Sequence, residues 1–324
     1  MALHRYILGA LALAGLTSAR PGFCAPEVTL YRGETAASQG ISLGGWGSGK
    51  AVESQKENFS GSNSISVITD GYYAGARIDF QRPVDLLDAF SEKDGYLVFM
   101  LRFPSLPTDE ETLGGGGGGV GPGGGRPLGI PPGGRPLGIP PGGGGAGTAA
   151  STDQTGPLVS FIRVAAVVNG ITLVAEDQPI DTKRTEAGWT TVSFPLSAFK
   201  GRLPGGSAML SRLIVTGDRP DFFYIGEIRT SLDENEIILE EEPEEQTVNP
   251  YDLTTLTVNA TGGLANLEYV WDFDSKDGIQ EDALGETVTH TWREPGTYTV
   301  TLRIRDINGV KAETKLEIPV VVAQ

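Results

Sequence analysis

Apolar and polar residues alternate with a period of two through most of this chain. From Tyr298 to Ile304 every second residue is apolar, and the residues between are threonine or arginine. Between Tyr96 and Phe103 both alternating sets are largely apolar, which is typical of a central strand that is buried on both faces. This periodicity predicts extended strands rather than helices, and hence an all-β protein.

The same pattern defines strands on both sides of a stretch dominated by glycine and proline. The turn dipeptide Asn169-Gly170 separates two of the strands and predicts a tight hairpin. The predicted strands are Val28–Tyr31, Ser64–Thr69, Ala74–Phe80, Tyr96–Phe103, Leu158–Val168, Ile171–Val174, Trp189–Phe194, Met209–Thr216 and Phe222–Ile228.

The low-complexity stretch, residues 108–155, is predicted to be a disordered insertion. It repeats the nonapeptide 125–133 immediately as 134–142 and offers few side chains for burial, so the entropy of ordering would not be offset. Each flank alone would leave sheet edges open, whereas both together suffice for a two-sheet sandwich. Enlarging one loop to this length costs only about 2 kcal/mol. We therefore predict one domain over residues 27–232, in which Tyr96–Phe103 pairs with Leu158–Val168.

The N-terminal residues of the chain indicate an exported protein. Residues 1–19 have the apolar run and small-residue end of a signal peptide; an uncleaved anchor and a lipid attachment at Cys24 are the alternatives. One cysteine excludes an internal disulfide. The net charge of −16 argues against nucleic acid and anionic lipid as partners, and no later stretch is long enough for a membrane span.

The acidic run 233–246 is predicted to be an extended interdomain linker, with cation capture as the alternative.

Two motifs near the C terminus identify a family resemblance. Trp271-Asp272-Phe273 is followed by a run from His290 to Leu302 that contains a Pro-Gly turn and then an alternating strand. Residues 247–323 thereby resemble a PKD (polycystic kidney disease) domain. The resemblance implies an immunoglobulin-like β-sandwich in an extracellular or cell-surface protein, used as a spacer or for contact with another protein. It also implies that His290 is structural.

A second resemblance covers most of the first domain. Phe59–Val67, Gly188–Lys200 and Phe222–Ile228 are similar to the early strand, the "W-x-x-V" segment and the closing strand of galactose-binding-like jelly rolls, the fold of many carbohydrate-binding modules. This likeness implies a jelly-roll sandwich that contacts polysaccharide or a cell-surface glycan.

Candidate binding residues follow from the chemistry of sugars, whose C–H faces stack on aromatic rings. Trp46 lies in a loop predicted to be too rich in glycine to bury a large ring. Tyr72 and Tyr73 follow the turn Asp70-Gly71, so their side chains should diverge. Core packing is the alternative for all three, and Trp189 is assigned to the core.

A structural calcium ion is the one cofactor left open. The jelly-roll resemblance places its counterpart ligands at Glu34 and Glu227, although Glu227 stands where that family often has aspartate. The acidic segment 272–278 lacks the spacing of a calcium loop, and a turn is the preferred interpretation.

Catalysis has little support in the sequence. Beyond the signal, His290 is the only histidine, which excludes histidine-based triads and zinc sites. A pair of carboxylates could still hydrolyse glycosides, but 41 acidic residues make chance pairs common. We expect a secreted, non-catalytic glycan-binding protein. A structural or adhesive surface protein without a glycan ligand, and an accessory to a separate hydrolase, are the alternatives.

Overall fold

The computed structural model describes residues 27–104, 159–180, 188–201, 205–241, 243–274, 276, 278 and 280–324. The predicted signal and glycine- and proline-rich insertion lie outside these residues. Strands account for 55% of the structure and helices for 6%, so the all-β prediction is confirmed. No helix among the described residues combines the length and apolarity needed to cross a bilayer.

Twelve strands form the first sandwich within the described residues. Short helices interrupt them: α1 (Leu87–Ser91) and two 3₁₀ turns at Ala36–Gln39 and Leu196–Ala198. The strands are β1 (Thr29–Tyr31), β2 (Ile41–Trp46), β3 (Lys50–Ser54), β4 (Ser64–Asp70), β5 (Gly75–Asp85), β6 (Gly95–Arg102), β7 (Phe161–Val168), β8 (Ile171–Val174), β9 (Gln178–Pro179), β10 (Trp189–Pro195), β11 (Met209–Gly217) and β12 (Pro220–Leu232).

These strands form two antiparallel sheets. The first has the order β10-β6-β12-β4-β3, with β1 beside β12; the second has the order β2-β5-β11-β7-β8, with β9 beside β7. Both sheets combine strands from before and after the predicted insertion. Their inner faces share one hydrophobic core, to which Phe99, Ile65 and Phe223 contribute from one sheet and Ile78 and Ile162 from the other. The two segments therefore close a single interior.

The predicted pairing of Tyr96–Phe103 with Leu158–Val168 is wrong. Strand β6 lies between β10 and β12 in the first sheet, whereas β7 lies beside β11 in the second. A long connection does not impose hairpin pairing, and β6, being apolar on both faces, takes a central position in its sheet. The short hairpin at Asn169-Gly170 does form, with φ of 52° and 78° at its two turn residues.

The glycine-rich segment around Trp46 is also more regular than predicted. Its first residues belong to β2, which pairs with β5 in a register that sets Trp46 opposite Gly75. The sequence shows little sign of this strand because glycines occupy positions where β-formers are usual.

Nine strands of the described chain form the second sandwich. Its main sheet has the order β14-β21-β20-β17-β18, beside two-stranded sheets of β13 with β16 and of β15 with β19. The strands are β13 (Ile238–Leu239), β14 (Gln246–Val248), β15 (Thr254–Thr257), β16 (Ala260–Thr261), β17 (Leu267–Asp272), β18 (Ala283–Leu284), β19 (Thr287–His290), β20 (Gly296–Asp306) and β21 (Thr314–Val322).

Trp271 is the largest fully buried side chain in the core of this second sandwich. It is fully buried, as are Val300, Leu302 and Ile304 from β20, the neighbouring strand of the same sheet. The indole Nε1 of Trp271 donates a hydrogen bond to the carbonyl oxygen of Gly285 at 2.7 Å, which satisfies its only polar atom. The period-two pattern therefore identified the inward face of β20 correctly.

The two sandwiches meet in a packed junction. Tyr96 and Val98 on the outer face of β6 are buried against Val310 and Leu264 of the second sandwich. Ser193 Oγ donates a hydrogen bond to the carbonyl oxygen of Leu264. The outward apolar residues of β6 are thus explained by burial under the second sandwich.

Polar groups are buried at the same junction. Gln178, with no exposed surface, hydrogen-bonds Asn266 and Asn308 of the second sandwich at 2.8 and 3.0 Å. Lys311 Nζ lies 3.0 Å from Asp233 Oδ2, and these side chains are 4% and 3% exposed. Buried polar groups that are paired across the junction, as these are, fix the relative position of the elements that carry them.

The predicted extended linker differs from the structure in its first half. Asp233 is buried at the junction, and Ile237 joins the core of the second sandwich. Ile238–Leu239 forms a strand paired with Ala260–Thr261. A run of acidic residues looks uniformly solvated in sequence, but here its first residue has a buried lysine partner. The domain boundaries themselves stay a prediction.

Candidate functional site

Two neighbouring turns form one end of the first sandwich. The turn from β2 to β3 is closed by the amide of Gly49, which donates to Trp46 O at 3.0 Å; the turn from β4 to β5 is closed by the amide of Ala74, which donates to Gly71 O at 3.1 Å. Ser48 Oγ joins them by donating to Asp70 Oδ2 at 3.3 Å. The turns thus carry Trp46 and Tyr73 on the same end of the sandwich.

The three predicted aromatic residues have different environments. Trp46 is 40% exposed and Tyr73 is 83% exposed. Tyr72 is half-buried, with the guanidinium carbon of Arg163 only 3.9 Å from the centre of its ring. The two tyrosine side chains therefore diverge, and only Trp46 and Tyr73 have rings available to a ligand.

The ion pair of Arg163 and Asp177 supports the ring of Tyr72. Arg163 forms a bidentate ion pair with Asp177 at 2.7 and 2.9 Å. Burial raises the pKa of Tyr72, and its hydrogen bond to Asp177 and the negative charge of that carboxylate raise it further. Asp218 accepts hydrogen bonds from the amides of Ser160 and Phe161. Paired charged groups thus form the base of the site.

Sequence reasoning missed Arg163 and Asp177. They lie 91 and 105 residues beyond Tyr72 in sequence, and they come beside it because β7, through β11, belongs to the same sheet as β5. No spacing motif announces such a pair. Two threonine bonds anchor the turn as well: Thr69 Oγ1 donates to Ala74 O and accepts from the amide of Gly217.

Trp189 is not part of the core, contrary to the prediction. Its register opposite Arg102 places it on the outer face of β10, where it is half-buried. Its ring lies 5.5 Å from that of Phe59 and covers Gly226, which has no side chain to displace it. Through this aromatic pair, the loop before β4 packs against the outer face of the sheet.

The two predicted calcium ligands have different surroundings. Glu34 is exposed, and Glu227 forms an ion pair with Arg229 at 3.0 Å. Within the described parts of the chain, no three His, Cys, Asp or Glu side chains are grouped to share a metal ion. The calcium site stays a prediction.

The acidic segment after Trp271 has a structural use. Asp272 accepts hydrogen bonds from the amides of Asp274 and Gln280, at 3.1 and 3.3 Å. Asp274 in turn accepts from the amide of Lys276 at 3.1 Å. Short acidic side chains commonly stabilise turns by bonding to amides a few residues on. These contacts are those expected of a turn.

A cavity with a volume of about 680 Å³ lies at one end of the second sandwich. Rings form much of its wall. Phe273 stacks on His290 with centroids 4.1 Å apart, and Trp292 lies 4.6 Å from His290 and 6.0 Å from Tyr298. Burial lowers the pKa of His290, and the nearby carboxylate of Asp282 opposes that shift.

This environment predicts a pH-dependent stability. Because the folded pKa of His290 lies below its ordinary value of about 6.5, the unfolded chain binds its proton first as the pH falls. Stability should therefore decline from about pH 6.5 down to the folded pKa, and His290→Gln should flatten this part of the profile. Urea denaturation at several pH values measures it. An unchanged slope in the variant would contradict the assignment.

Comparison with known proteins identifies the second sandwich. Residues 241–320 match the family model of the PKD domain. The C-terminal sandwich is thus a PKD domain with an immunoglobulin-like fold, a module typical of extracellular proteins. The resemblance drawn from Trp271-Asp272-Phe273 and the strand after it is confirmed.

Other comparisons add little. No curated protein matches the chain. Among solved structures, a beta-1,2-glucanase from Parabacteroides distasonis matches at 9% identity and a TM-score of 0.28, over 92% of this chain and 38% of the glucanase. The tripod from the baseplate of bacteriophage Tuc2009 matches at 10% identity and a TM-score of 0.21, over 92% of this chain and 98% of the other. These scores establish no shared fold.

Proposed function

We propose that this is a secreted, non-catalytic protein that binds polysaccharide or a glycoconjugate through the end of its first sandwich. The observation that carries the proposal is the joint exposure of Trp46 and Tyr73 on two turns that are bonded to each other. Large exposed aromatic residues held on a rigid support are what a sugar ring requires for stacking.

Polar groups beside the rings complete the recognition surface. Ser48 and Asp70 lie on the same two turns, and their hydroxyl and carboxylate oxygens suit the hydroxyl groups of a sugar. Tyr72 lies below with Arg163 and supports the turn rather than the ligand. The surface is open, which fits a chain of sugars better than an enclosed small molecule.

Two carboxylates beneath the turns are occupied. Asp177 is held by Arg163, and Asp218 accepts two backbone amides. A general acid or base must be free to exchange a proton with a substrate, and groups held in such pairs are poor candidates. This supports binding rather than glycoside hydrolysis.

The packed junction gives the PKD domain a defined part in this proposal. The contacts at the junction hold the first sandwich in one orientation relative to the PKD domain, which a flexible linker would not do. The same rigidity favours a second candidate, a structural or adhesive surface protein in which the sandwiches serve as joined blocks. That candidate needs no glycan ligand.

Affinity electrophoresis and a glycan array separate these candidates. We expect retention by at least one polysaccharide, weakened about tenfold by Trp46→Ala and by Tyr73→Ala, because each removes one stacking surface. Tyr251→Ala is the matched control, since Tyr251 is 73% exposed but lies on the PKD domain. Absence of binding to every glycan, or equal losses in the control, would favour the structural role.

A further inference from the structure

We propose that the open end of the PKD domain is a docking site for a lysine- or arginine-bearing segment of a partner protein. The site is the 680 Å³ cavity walled by Phe273, His290, Trp292 and Tyr298, together with the exposed segment 251–253 beside it. This inference is independent of glycan binding, because it concerns the other sandwich.

The charges that line the cavity favour a cation. Three carboxylates, from Asp274, Asp282 and Glu294, share the lining with a single basic residue, Arg293. Burial lowers the pKa of His290, which disfavours a positive charge on the imidazole beside an incoming cation. Rings and carboxylates together are the surroundings in which ammonium and guanidinium groups bind.

The chain itself places a cation against this wall. Lys276 Nζ lies 5.1 Å from the centre of the Tyr298 ring and donates a hydrogen bond to the carbonyl oxygen of Thr297 at 3.1 Å. Lys276 is exposed, so it approaches the ring from outside. The contact shows that the Tyr298 side of the cavity can hold an ammonium group.

An unused hydrogen-bond donor points to a further contact. Trp292 is 3% exposed, yet its Nε1 has no acceptor among the described residues, whereas Trp271 Nε1 bonds to Gly285. A buried donor without an acceptor destabilises the folded state. A carbonyl oxygen from an incoming peptide would supply the acceptor after a small movement of the rim.

A strained residue stands at the rim. Tyr251 has φ of 70°, a rare value for a bulky residue, and its amide donates to the carbonyl oxygen of Trp292 at 2.8 Å. Tyr251 and Leu253 are each 73% exposed. Backbone strain of this kind concentrates at functional sites. The exposed side chains of Tyr251 and Leu253 also provide an apolar surface for the partner residues on either side of its lysine or arginine.

Nuclear magnetic resonance of the full chain tests the proposal. Protein with ¹⁵N-labelled indoles is titrated with acetyl-Gly-Arg-Gly-amide and with its citrulline analogue, which has the same shape without the charge; Trp292→Phe assigns the resonance. We expect a saturable shift of the Trp292 indole signal, with binding about fivefold weaker for the citrulline peptide. The Trp271 signal reports that the fold is intact.

Substitutions supply the second arm of the test. Tyr251→Ser and Glu294→Gln should each weaken binding of the arginine peptide, whereas Tyr73→Ala on the other sandwich should not. Equal response to the two peptides, no shift at all, or a larger shift with a neutral oligosaccharide would overturn the proposal. The last outcome would identify the cavity as a sugar site instead.

Discussion

Replacing Lys311 with methionine is expected to lower the free energy of unfolding by about 3–5 kcal/mol, because it leaves Asp233 as a buried, unpaired charge. Lys311 Nζ also donates to the carbonyl oxygens of Asp233 and Asn235, at 2.7 and 2.6 Å, and the variant leaves both without that donor. Urea denaturation followed by tryptophan fluorescence measures the loss.

Lys315→Met is the matched control. Lys315 pairs with Glu317 at 2.9 Å, but these side chains are 45% and 63% exposed, so the loss should stay below about 1 kcal/mol. The double variant Asp233→Asn with Lys311→Met should be less destabilised than the two single variants summed, because neither charge is then left alone. If Lys311→Met were as mild as Lys315→Met, the junction would contribute little to stability.

The same ion pair should respond to acid. Burial alone would raise the pKa of Asp233, but hydrogen bonds from the Leu264 amide, Lys311 and Asn235, with the charge of Lys311, bring it below its ordinary value. A carboxylate with a lowered folded pKa stabilises fully above its unfolded pKa of about 3.9, and this stabilisation is lost as the pH falls through the folded value. Asp233→Asn should therefore flatten the stability profile below about pH 4, a window separate from that of His290.

Gly47→Ala is expected to cost about 2–5 kcal/mol and to abolish glycan binding. Two penalties act together. Gly47 has φ of 58°, and a Cβ atom there would lie 2.2 Å from the backbone oxygen of Tyr73. The two turns of the candidate site approach so closely that only hydrogen atoms fit between them, and separating them would move Trp46 away from Tyr73.

Two other glycines separate these penalties. Gly40 has φ of 69° with no atom within 4 Å of its Cβ position, so Gly40→Ala should cost only about 1–2 kcal/mol of backbone strain and preserve binding. Gly49 lacks a positive φ, but its Cβ would lie 2.0 Å from the Gly75 nitrogen, so Gly49→Ala should cost about 1–3 kcal/mol and impair binding. Normal binding by Gly47→Ala would refute the coupling of turn geometry to the site.

Elements with strong local signals were predictable from the sequence. Ile171–Val174 and its Asn169-Gly170 turn have the predicted bounds, and the inward face of β20 was identified by alternation alone. Strands β2 and β3 were missed, because glycines and charged residues weaken their pattern. The pairing of β6 depended on which strands lie beside it in space, and no local property of Tyr96–Phe103 encodes that choice.

The candidate site shows the same division. Exposure of aromatic residues on these turns was predictable as one of two interpretations, because turn chemistry and glycine content disfavour burial, although the choice between Tyr72 and Tyr73 was left open. The Arg163–Asp177 pair and the buried junction were not predictable, since each joins residues that are distant in sequence. In the acidic run, Asp233 cannot be told from its solvated neighbours until Lys311 is brought beside it by the fold.

The interleaving of β6 between β10 and β12 has a consequence for synthesis. Strand β6 is complete once Arg102 has been synthesised, but its two neighbours begin only at Trp189 and Pro220. Both of its hydrogen-bonding edges therefore stay unpaired until those later strands have been synthesised. Unpaired apolar strands invite aggregation during that interval. The nascent first sandwich should therefore depend on a holding chaperone until its last strand emerges.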